Sequence, residues 1–550
     1  MAVEQGMTFR TPIFVGIDLG TSGVKAIAVD RAGQVVGTTS HGLDFDRPRQ
    51  GWAETPPSRW WDATAAAVGS LVAGGLDASS IAAVGLSGQM HGSVFLDRAA
   101  LDRAGSDTID AIHPALMWND QRTESSLAPI ESALGGRAAC VERTGCPPLT
   151  GLTAPKLHWL RTHEPAHAER VAALCLPKDY LALALTGELA TDVGDASGTM
   201  LLDPRTRDWS PAVLDALKID RAMLPAVHES GTAIGRVTRW AAEHTGLPAG
   251  TPIAIGSGDN QAAALGAGVT DPGSALAILG TSGVVLAPLD EPKTDHTPTS
   301  SLAKPGRINL FCDATGSERQ RGAWLYSGCM LSAAGSLEWA RDTISPGVAF
   351  DDLLREAGEA PAGCEGLIFL PYLTGERCPI PDPQARGGWI GLTRSHTRAH
   401  LMRAVLEGVA FNLAAILDIV RDATIAPSTV RVTGGGSASP EWCRILATAF
   451  GCPVVPLEVE EGPALGAAIC AAVSIDAALD ARALARGWSR PAQPIEPVAA
   501  TVPVMREARA VFERLHADLS PAHAALHTLA SDNQLSSPAP KQIPTPDHTP

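Results

Sequence analysis

The hexapeptide LGTSGV occurs twice in this chain, at Leu19–Val24 and again at Leu279–Val284. Each copy lies between two runs of aliphatic and β-branched residues, a pattern that predicts a β-hairpin. Glycine lets such a turn approach a ligand closely, and the Thr and Ser hydroxyls stand beside backbone N–H groups, which suits phosphate oxygens. One copy alone would favour an ordinary glycine-rich hairpin, and the repeat reverses that preference. Two copies predict two similar lobes that hold one nucleotide between them.

Composition limits the classes to which the protein can belong. Of its 550 residues, 45% are hydrophobic and 19% charged, which is typical of a globular protein. This length predicts roughly two to four domains. A formal net charge of −16 leaves no basic surface for a phosphate backbone, so nucleic acid and anionic membranes are excluded as main partners. A nucleotide remains compatible, because helix N-termini and backbone amides bind phosphate without net positive charge.

The cysteines and the apolar segments bear on location. None of the ten cysteines forms a CxxC pair, which argues against a zinc or thioredoxin-like motif and for reduced thiols. The first residues, MAVEQGMTFRTP, lack the apolar stretch of a signal peptide. The longest apolar run, Ala464–Val473, is too short to span a bilayer. We therefore predict a cytoplasmic protein with no membrane partner.

Strand and helix patterns alternate in both halves of the chain, which predicts an α/β fold. Three consecutive strands are expected at Ile13–Asp18, Val24–Asp30 and Gln34–Thr39. The segment GSGDNQAAALGAG, at 256–268, is expected to form a helix that crosses between the lobes. Residues 186–203, TGELATDVGDASGTMLLD, are expected to form turns and a hairpin.

The domain boundary is expected near Gly268–Gly273, where the crossing helix ends in glycines. This gives an N-terminal domain at 12–268 and a C-terminal domain at 273–525. The tail at 530–550 is rich in Ser, Pro and other polar residues, so we expect it to be disordered.

Two aspartates stand where predicted strands end. Asp259 lies between a strand and a helix, at the sheet edge where α/β folds bind ligands. Its carboxylate could take a proton from a substrate hydroxyl that attacks phosphorus, or cap the helix expected from Asn260, and these roles are compatible. Asp18 directly precedes the first LGTSGV turn. A carboxylate would repel bound phosphates unless a cation lay between them, so one role for Asp18 is to hold Mg²⁺. The alternative is an aspartate that only forms the turn.

Other polar segments also follow predicted strands. Gly434–Ser437, GGGS, would let a flat base or ribose lie against the backbone. It matches neither GxGxxG nor GxxxxGK[ST], which disfavours dinucleotide-binding folds and P-loop NTPases. His91, in SGQMHG, could hydrogen-bond a substrate hydroxyl or carbonyl, although a lone histidine is more often only a satisfied polar residue. Trp118–Arg122, WNDQR, and Pro177–Tyr180, PKDY, gather polar groups that the residues alone do not assign.

Taken in order, these segments resemble the FGGY family of carbohydrate kinases. The resemblance covers Ile13–Ala471 and rests on GIDLGTSGVK, GQMHG, WND, TAPKLHW, LPKDYLALALTGELATD, SGTM, DWS, GSGDNQAAALGAG, LGTSGV, LPYLTGER, RAVLEGV, GGGSASPEWCRILA and GPALGAA. It implies two actin-like, ribonuclease-H-like lobes that close over ATP, Mg²⁺ and a sugar. The sequence departs from the family in having GSGDN for the commoner GGGDN, in the loops at 290–311 and 312–324, and in the added tail.

The resemblance implies roles for individual residues. Asp259 corresponds to the family's catalytic base and Asp18 to the carboxylate near the metal and phosphates. Met90 and His91 correspond to the pair that contacts the sugar, and Asn260 would be a further sugar contact. The resemblance assigns ATP contacts to the two turns and the glycine loop, namely Gly20, Thr21, Ser22, Gly280, Thr281, Ser282, Gly434, Gly435, Gly436 and Ser437. The first lobe would then carry the sugar, phosphate and metal site, and the second the adenine nucleotide.

The Met-His pair at 90–91 stands where glycerol kinases have Arg-Glu, which favours the family members that phosphorylate D-xylulose. The expected reaction is ATP-dependent transfer to the terminal hydroxyl, giving D-xylulose 5-phosphate, with ATP and Mg²⁺ as cofactors. Two alternatives are open: an FGGY kinase for ribulose, gluconate or a pentitol, and an actin-like ATP-binding module without sugar kinase activity. Sugar and ATP are the expected partners, and a homodimer is a further expectation.

Overall fold

The computed structural model describes residues 11–296, 304–458 and 462–536. In the first half the strands are β1 Ile13–Leu19, β2 Gly23–Asp30, β3 Val35–Gly42, β4 Glu54–Thr55, β5 Ile81–Gly88, β6 Val94–Leu96, β7 Ala115–Leu116, β8 Ala173–Cys175, β9 Ala190–Asp192, β10 Leu202–Asp203, β11 Asp208–Trp209, β12 Ala226–His228, β13 Ala233–Arg236 and β14 Pro252–Gly258. The helices of this half are α1 Pro57–Ala73, α2 Arg98–Asp102, α3 Glu124–Ala133, α4 Arg137–Thr144, α5 Thr153–His163, α6 Pro165–Ala168, α7 Pro177–Thr186, α8 Val193–Ser197, α9 Pro211–Leu217, α10 Arg239–Thr245 and α11 Asp259–Gly266.

The second half begins after α11. Its strands are β15 Ser274–Leu279, β16 Gly283–Leu289, β17 Asn309–Cys312, β18 Trp324–Met330, β19 Ile368–Leu370, β20 Gly388–Ile390, β21 Thr429–Thr433 and β22 Val454–Pro456. Its helices are α12 Ala334–Ile344, α13 Phe350–Glu359, α14 Arg398–Ala423, α15 Pro440–Phe450, α16 Gly462–Ile475, α17 Ala481–Trp488 and α18 Val502–Ser536. Among the described residues, no helix is long and apolar enough to cross a membrane.

The first sheet has the strand order β13-β14-β5-β1-β2-β3. β1 and β2 form an antiparallel hairpin in which Leu19 pairs with Val24, so the first LGTSGV copy is its turn. β1 also pairs with β5, and β5 with β14, in parallel. The carboxyl ends of these three strands therefore meet at one edge of the sheet, where α/β folds bind ligands.

The second sheet, β17-β18-β16-β15-β21-β22, repeats this arrangement. β15 and β16 form the antiparallel hairpin around the second LGTSGV copy, with Leu279 opposite Gly283. β15 pairs in parallel with β21, and β21 with β22. The predicted α/β fold with two similar lobes and two glycine-turn hairpins is confirmed.

The helices α11 and α16 pack against each other between the two sheets and interlock the halves of the chain. α16 belongs to the second half but packs on the first sheet, where Phe14, Ile27 and Ala83 join its apolar cluster. α11 follows the first sheet, yet its alanines pack with apolar residues of β15, β16 and β18. The prediction of a helix crossing between the lobes is confirmed. The domain bounds 12–268 and 273–525 stay predictions. α16 lies in the second half of the sequence but packs on the sheet of the first half.

Close packing of α16 depends on glycines in the first sheet. A Cβ atom added to Gly16 would lie 1.9 Å from the Ala464 carbonyl oxygen, and one on Gly85 would lie 1.9 Å from that of Ala467. Both carbonyls belong to the helix backbone, so a side chain at either glycine would push the whole helix away. Gly16 and Gly85 therefore fix how closely the second half of the chain approaches the first sheet.

Two expectations from the sequence are wrong. Residues 186–203 form β9, the helix α8 and β10 rather than turns and a hairpin, and β9 pairs in parallel with β12. The reason is local, because the Asp192 carboxylate accepts the backbone N–H groups of Gly194 at 2.9 Å and Asp195 at 3.3 Å and so caps α8. Disorder was expected from residue 530, but α18 continues to Ser536. Residues 537–550 lie outside the described residues.

Candidate active site

Carboxylates and hydroxyls converge at the carboxyl edge of the first sheet. The register places Asp18 of β1 opposite Ser87 of β5, and Ser87 opposite Ser257 of β14. Ser87 Oγ donates to Asp18 Oδ1 at 2.8 Å. Asp259 follows directly after β14 and is the first residue of α11, with Gly258 in the N-cap position, so Asp259 is not the helix cap considered as an alternative. Asp259 is therefore available for another role.

Asp259 has a perturbed carboxyl group. Its pKa is raised to about 7, mainly by burial and then by the negative charge of Asp18, against a hydrogen bond from the Asn260 backbone N–H that lowers it. The residue is nevertheless only half-buried, so a ligand can reach it. A carboxyl group with a pKa near the working pH is suited to taking up a proton and releasing it again.

His91 lies just beyond the end of β5, in left-handed backbone with φ of 67°. Burial, and then the charges of Lys156 and Arg377, lower its pKa to about 3. Its Nδ1 is 2.8 Å from the Gly198 carbonyl oxygen. Because that oxygen can only accept, the neutral ring carries its hydrogen on Nδ1 and presents Nε2 as an acceptor. His91 can therefore accept a hydrogen bond from a sugar hydroxyl.

Glycines make room for the Met90–His91 pair. A Cβ atom on Gly198 would lie 2.5 Å from His91 Nδ1, and one on Gly258 would lie 2.6 Å from Met90 Cγ. The SGTM and GSGDN segments therefore pack directly against this pair. Asn260 Nδ2 lies 3.5 Å from Ser327 Oγ of β18, at the limit for a hydrogen bond, so the start of α11 also faces the second lobe.

The first turn, with Gly20, Thr21 and Ser22, is held by backbone and side-chain contacts. The Gly20 N–H donates to the Gly23 carbonyl oxygen at 2.9 Å, which closes the turn. Trp118 Nε1 donates to Thr21 Oγ1 at 2.9 Å, which gives WNDQR a function that sequence reasoning missed. Ser22 is exposed. The turn thus keeps its tip open while its Thr side chain is fixed.

The second turn lines a cavity with a volume of about 990 Å³. Gly280 and Thr281 line it together with Gly435 and Gly436. Gly434 adopts a φ of 89°, and Ser437 Oγ donates to its carbonyl oxygen at 2.8 Å, which shapes the loop. The structure therefore brings the second turn and the GGGS loop, which lie far apart in sequence, to a single cavity of ligand size.

Contacts along β18 connect the second turn to Asp259. Ser282 hydrogen-bonds the Cys329 thiol, whose pKa is raised by burial and, to a smaller extent, by the negative charge of Asp259. Asp259 is in turn close enough to Asp18 for their charges to interact. Asp18 lies two residues before Gly20 of the first turn. The predicted proton acceptor therefore lies at the edge of the first sheet, beside the residue that contacts β18 of the second lobe.

Two basic side chains near His91 were not found from the sequence. Lys156 of α5 donates from Nζ to the His91 carbonyl oxygen at 2.7 Å. Arg377, in LPYLTGER, comes from the second half of the chain, yet its charge lowers the pKa of both His91 and Lys156. The motif follows β19 as other site segments follow strands, which is the signal that could have identified it.

A network of buried charged and hydroxyl side chains stabilises the carboxyl edge of the first sheet. Lys178 Nζ lies 2.8 Å from Asp179 Oδ1 and 3.2 Å from Asp192 Oδ1. Asp192 Oδ2 accepts hydrogen bonds from Ser257 Oγ at 2.6 Å and from Ser230 Oγ at 2.9 Å. These contacts fix the end of β14, directly before Asp259. PKDY, which the sequence left unassigned, therefore supports the site without facing it.

The carboxylates fit a hard divalent cation. Asp18 and Asp259 repel each other strongly enough to raise the pKa of Asp259, and a cation beside them would relieve that repulsion. Carboxylate oxygens and phosphates are the ligands that Mg²⁺ prefers. Asp18, next to the first turn, is the better placed of the two to hold it.

Comparison with known proteins bears on this arrangement. Two models described as the FGGY family of carbohydrate kinases match the chain, the N-terminal domain over residues 13–266 and the C-terminal domain over 275–475. A xylulose kinase of Klebsiella pneumoniae is 38% identical over 466 residues, which is 84% of this chain and 90% of the relative.

Solved structures give a similar result. The structure of a ligand-bound xylulose kinase from Lactobacillus acidophilus superposes with a TM-score of 0.85 at 26% identity, over 94% of this chain and 100% of that one. A gluconate kinase from the same organism superposes with a TM-score of 0.84, also at 26% identity, over 94% and 100%. The fold alone therefore does not separate these two sugars.

Proposed function

This chain belongs to the FGGY family of carbohydrate kinases, and on that premise we propose that it transfers the γ-phosphoryl group of ATP to the terminal hydroxyl of D-xylulose. The products are D-xylulose 5-phosphate and ADP. The observation that carries the proposal is Asp259, a half-buried carboxyl group with a pKa of about 7, whose neighbour Asn260 lies 3.5 Å from Ser327 of the second lobe.

Asp259 is the proton acceptor in this proposal. The hydroxyl oxygen of the sugar forms a bond to the γ-phosphorus while its proton passes to the Asp259 carboxylate. The bond from the γ-phosphorus to the oxygen that bridges to the β-phosphate breaks, and ADP leaves with that oxygen. Positioning and charge stabilisation supply most of the acceleration in phosphoryl transfer.

The nucleotide is assigned to the two turns and the cavity. Gly20–Ser22 and Gly280–Ser282 would offer backbone N–H groups and hydroxyls to the β- and γ-phosphates. Gly434–Ser437 would lie against the adenosine, since this loop lines the same cavity as the second turn. Asp18 would hold Mg²⁺, which neutralises phosphate charge when bound.

The sugar is assigned to the pocket beside Asp259. His91 would accept a hydrogen bond from a sugar hydroxyl through Nε2, because its Nδ1 is occupied by the Gly198 carbonyl oxygen. Met90 would contribute an apolar contact, and Asn260 a polar one next to the base. Lys156 would fix the backbone of His91 through its hydrogen bond to the His91 carbonyl oxygen, and the positive charge of Arg377, which acts on His91, would favour an acceptor rich in oxygen atoms.

A sugar panel tests the proposal. The purified full chain is assayed with ATP and Mg²⁺ against D-xylulose, D-ribulose, D-gluconate, xylitol and D-arabinitol, with release of ADP as the readout. We expect kcat/KM for D-xylulose to exceed that for each other compound by at least about tenfold, equivalent to about 1.4 kcal/mol of transition-state binding. A higher kcat/KM for another compound would reassign the substrate within the family.

The similarity to a gluconate kinase structure makes gluconate the second candidate. A carboxylate on the substrate would be attracted by the positive charge of Arg377, which also lowers the pKa of His91. An ATP-binding module without kinase activity would release ADP at a rate that no sugar changes, so the assay without sugar is the control. A homodimer and a cytoplasmic location stay predictions.

A further inference from the structure

A second group of ligand-type side chains lies away from the cleft, between α18 and the segment that follows LPYLTGER. Asp382, His516 and His523 each place one oxygen or nitrogen atom within 4.8 Å of the others. Both histidines lie on α18, seven residues or about two helical turns apart, which puts them on one face of the helix. The rings of His516 and His523 have centroids 6.0 Å apart. These three residues form what we term the His-His-Asp cluster.

The cluster contains polar atoms whose hydrogen-bonding capacity is unused. His516 and His523 are only 5% and 4% exposed, and Nδ1 of each has no hydrogen-bond partner among the described residues. The Tyr372 hydroxyl is fully buried, also lacks a partner in the described part of the chain, and belongs to a ring whose centroid is 5.7 Å from that of His516. Buried polar groups are normally paired, so unpaired atoms on these neighbouring rings point to a ligand that is not part of the described chain.

We propose that Asp382, His516 and His523 bind one divalent transition-metal ion, with Zn²⁺ as the representative of its class. Two imidazole nitrogens with one carboxylate oxygen are the donor set of open zinc sites, and imidazole donors disfavour Mg²⁺ and Ca²⁺. The Asp382 side chain is 21% exposed, so solvent reaches the cluster and water can complete the coordination.

The charges around the cluster agree with this donor set. Burial lowers the pKa of both His516 and His523 although Asp382 raises it, which favours the uncharged imidazole, the form that binds metal. An ion pair is therefore a poor account of His516 Nε2 and Asp382 Oδ2, which are 3.7 Å apart. The positive charge of Arg386 also lowers the pKa of His523. The same charge would repel a bound cation, so electrostatic attraction alone would not hold the metal ion there. The imidazole nitrogens must supply the affinity.

The bound ion would fasten α18 to a segment that reaches the sugar pocket. The backbone of Asp382 pairs with that of Glu376 through two N–H···O contacts, each 2.9 Å. Arg377, whose charge lowers the pKa of His91, is the residue after Glu376. The metal would therefore tie the C-terminal helix to the base of the loop that carries Arg377. This role is separate from the reaction centre at Asp259.

The experiment uses the full chain, stripped of metal by a chelator and then titrated with Co²⁺ and, separately, Zn²⁺. We expect one equivalent of Co²⁺ per chain with the visible absorption of four-coordinate cobalt. Saturating Zn²⁺ should raise the melting temperature by roughly 3–5 °C, since a ligand that binds only the folded state stabilises it. Neither readout depends on kinase activity.

Two variants and one control decide the outcome. Asp382→Asn keeps the shape of a partly exposed side chain, and His523→Gln removes a buried donor. We expect each to weaken Co²⁺ binding by more than about tenfold, while His244→Gln, an exposed histidine on α10, titrates like the unmodified protein. If Asp382→Asn binds Co²⁺ as tightly as the unmodified chain, or the unmodified chain binds none, the proposal is wrong. If His523→Gln does not fold, Asp382→Asn decides alone.

Discussion

At the scale of single residues, burial acts in opposite directions on the two groups that we propose contact the sugar. It disfavours charge, so it raises the pKa of the Asp259 carboxyl to about 7 and lowers that of the His91 imidazole to about 3. At neutral pH His91 is therefore uncharged, and about half of Asp259 is ionised. In the proposed reaction both would serve as acceptors, His91 for a hydrogen bond from the sugar and Asp259 for its proton.

This predicts a pH dependence with a definite sign. Asp259 must be ionised to act as a base, so kcat/KM should rise about tenfold for each pH unit below about pH 7 and level off above about pH 8. His91 should add no inflection, because its pKa of about 3 lies below this range. The measurement is a pH–rate profile for sugar phosphorylation from about pH 5 to about pH 9.

A variant identifies the source of that inflection. Asp18→Asn removes the negative charge that raises the pKa of Asp259, so the rising limb should move to lower pH even though the overall rate falls. A profile that is flat between about pH 5.5 and about pH 8 in the unmodified protein would argue against Asp259 as the titrating base.

At the scale of elements, local chemistry decides what can be predicted from the sequence. The hairpins around Gly20 and Gly280 were predictable, because alternating strand residues and a glycine turn lie within a few positions of each other. The helix α8 was not, since it depends on the Asp192 cap within a segment rich in turn residues. Arg377 was missed because His91, on whose pKa its charge acts, lies in the other half of the chain, and only the tertiary fold allows that effect.

The glycine loop of the second lobe offers a direct test of its assigned role. A Cβ atom on Gly435 would meet nothing within 4 Å, although the residue lines the cavity, so a side chain there occupies ligand space without disturbing the protein. Gly435→Val should raise KM for ATP by at least about tenfold and leave KM for the sugar unchanged. Steady-state kinetics with each substrate varied in turn provide the measurement.

The matched control is Gly388→Val. Gly388 lies in β20, outside the cavity, and a Cβ atom there also meets nothing within 4 Å. Its KM for ATP should equal that of the unmodified protein. If the Gly435→Val and Gly388→Val proteins have equal KM values for ATP, the assignment of the GGGS loop to the nucleotide site is wrong.

At the scale of the whole molecule, the two halves of the chain are interlocked. α16 leaves the second sheet to pack on the first, and α11 leaves the first to pack on the second. The two helices pack against each other between the sheets. A disturbance at this packing should therefore lower the stability of the entire molecule rather than that of one lobe.

Gly85→Ala tests this interlocking. Its Cβ atom would lie 1.9 Å from the Ala467 carbonyl oxygen, so α16 must shift, and overpacking of this kind costs about 2 kcal/mol in the free energy of unfolding. Gly42→Ala on β3 is the control, because its Cβ atom meets nothing within 4 Å and should change stability by less than about 0.5 kcal/mol. Urea unfolding measures both, and equal midpoints would contradict the account of α16.

The rate of D-xylulose phosphorylation by Asp259→Asn is the most direct test of the proposed chemistry. The amide keeps the shape of the side chain but cannot take the proton, so kcat should fall by about 10²- to 10⁴-fold. Binding of ATP and of D-xylulose, followed by calorimetry, should persist. A kcat within about threefold of the unmodified protein would contradict the assignment of Asp259 as the base.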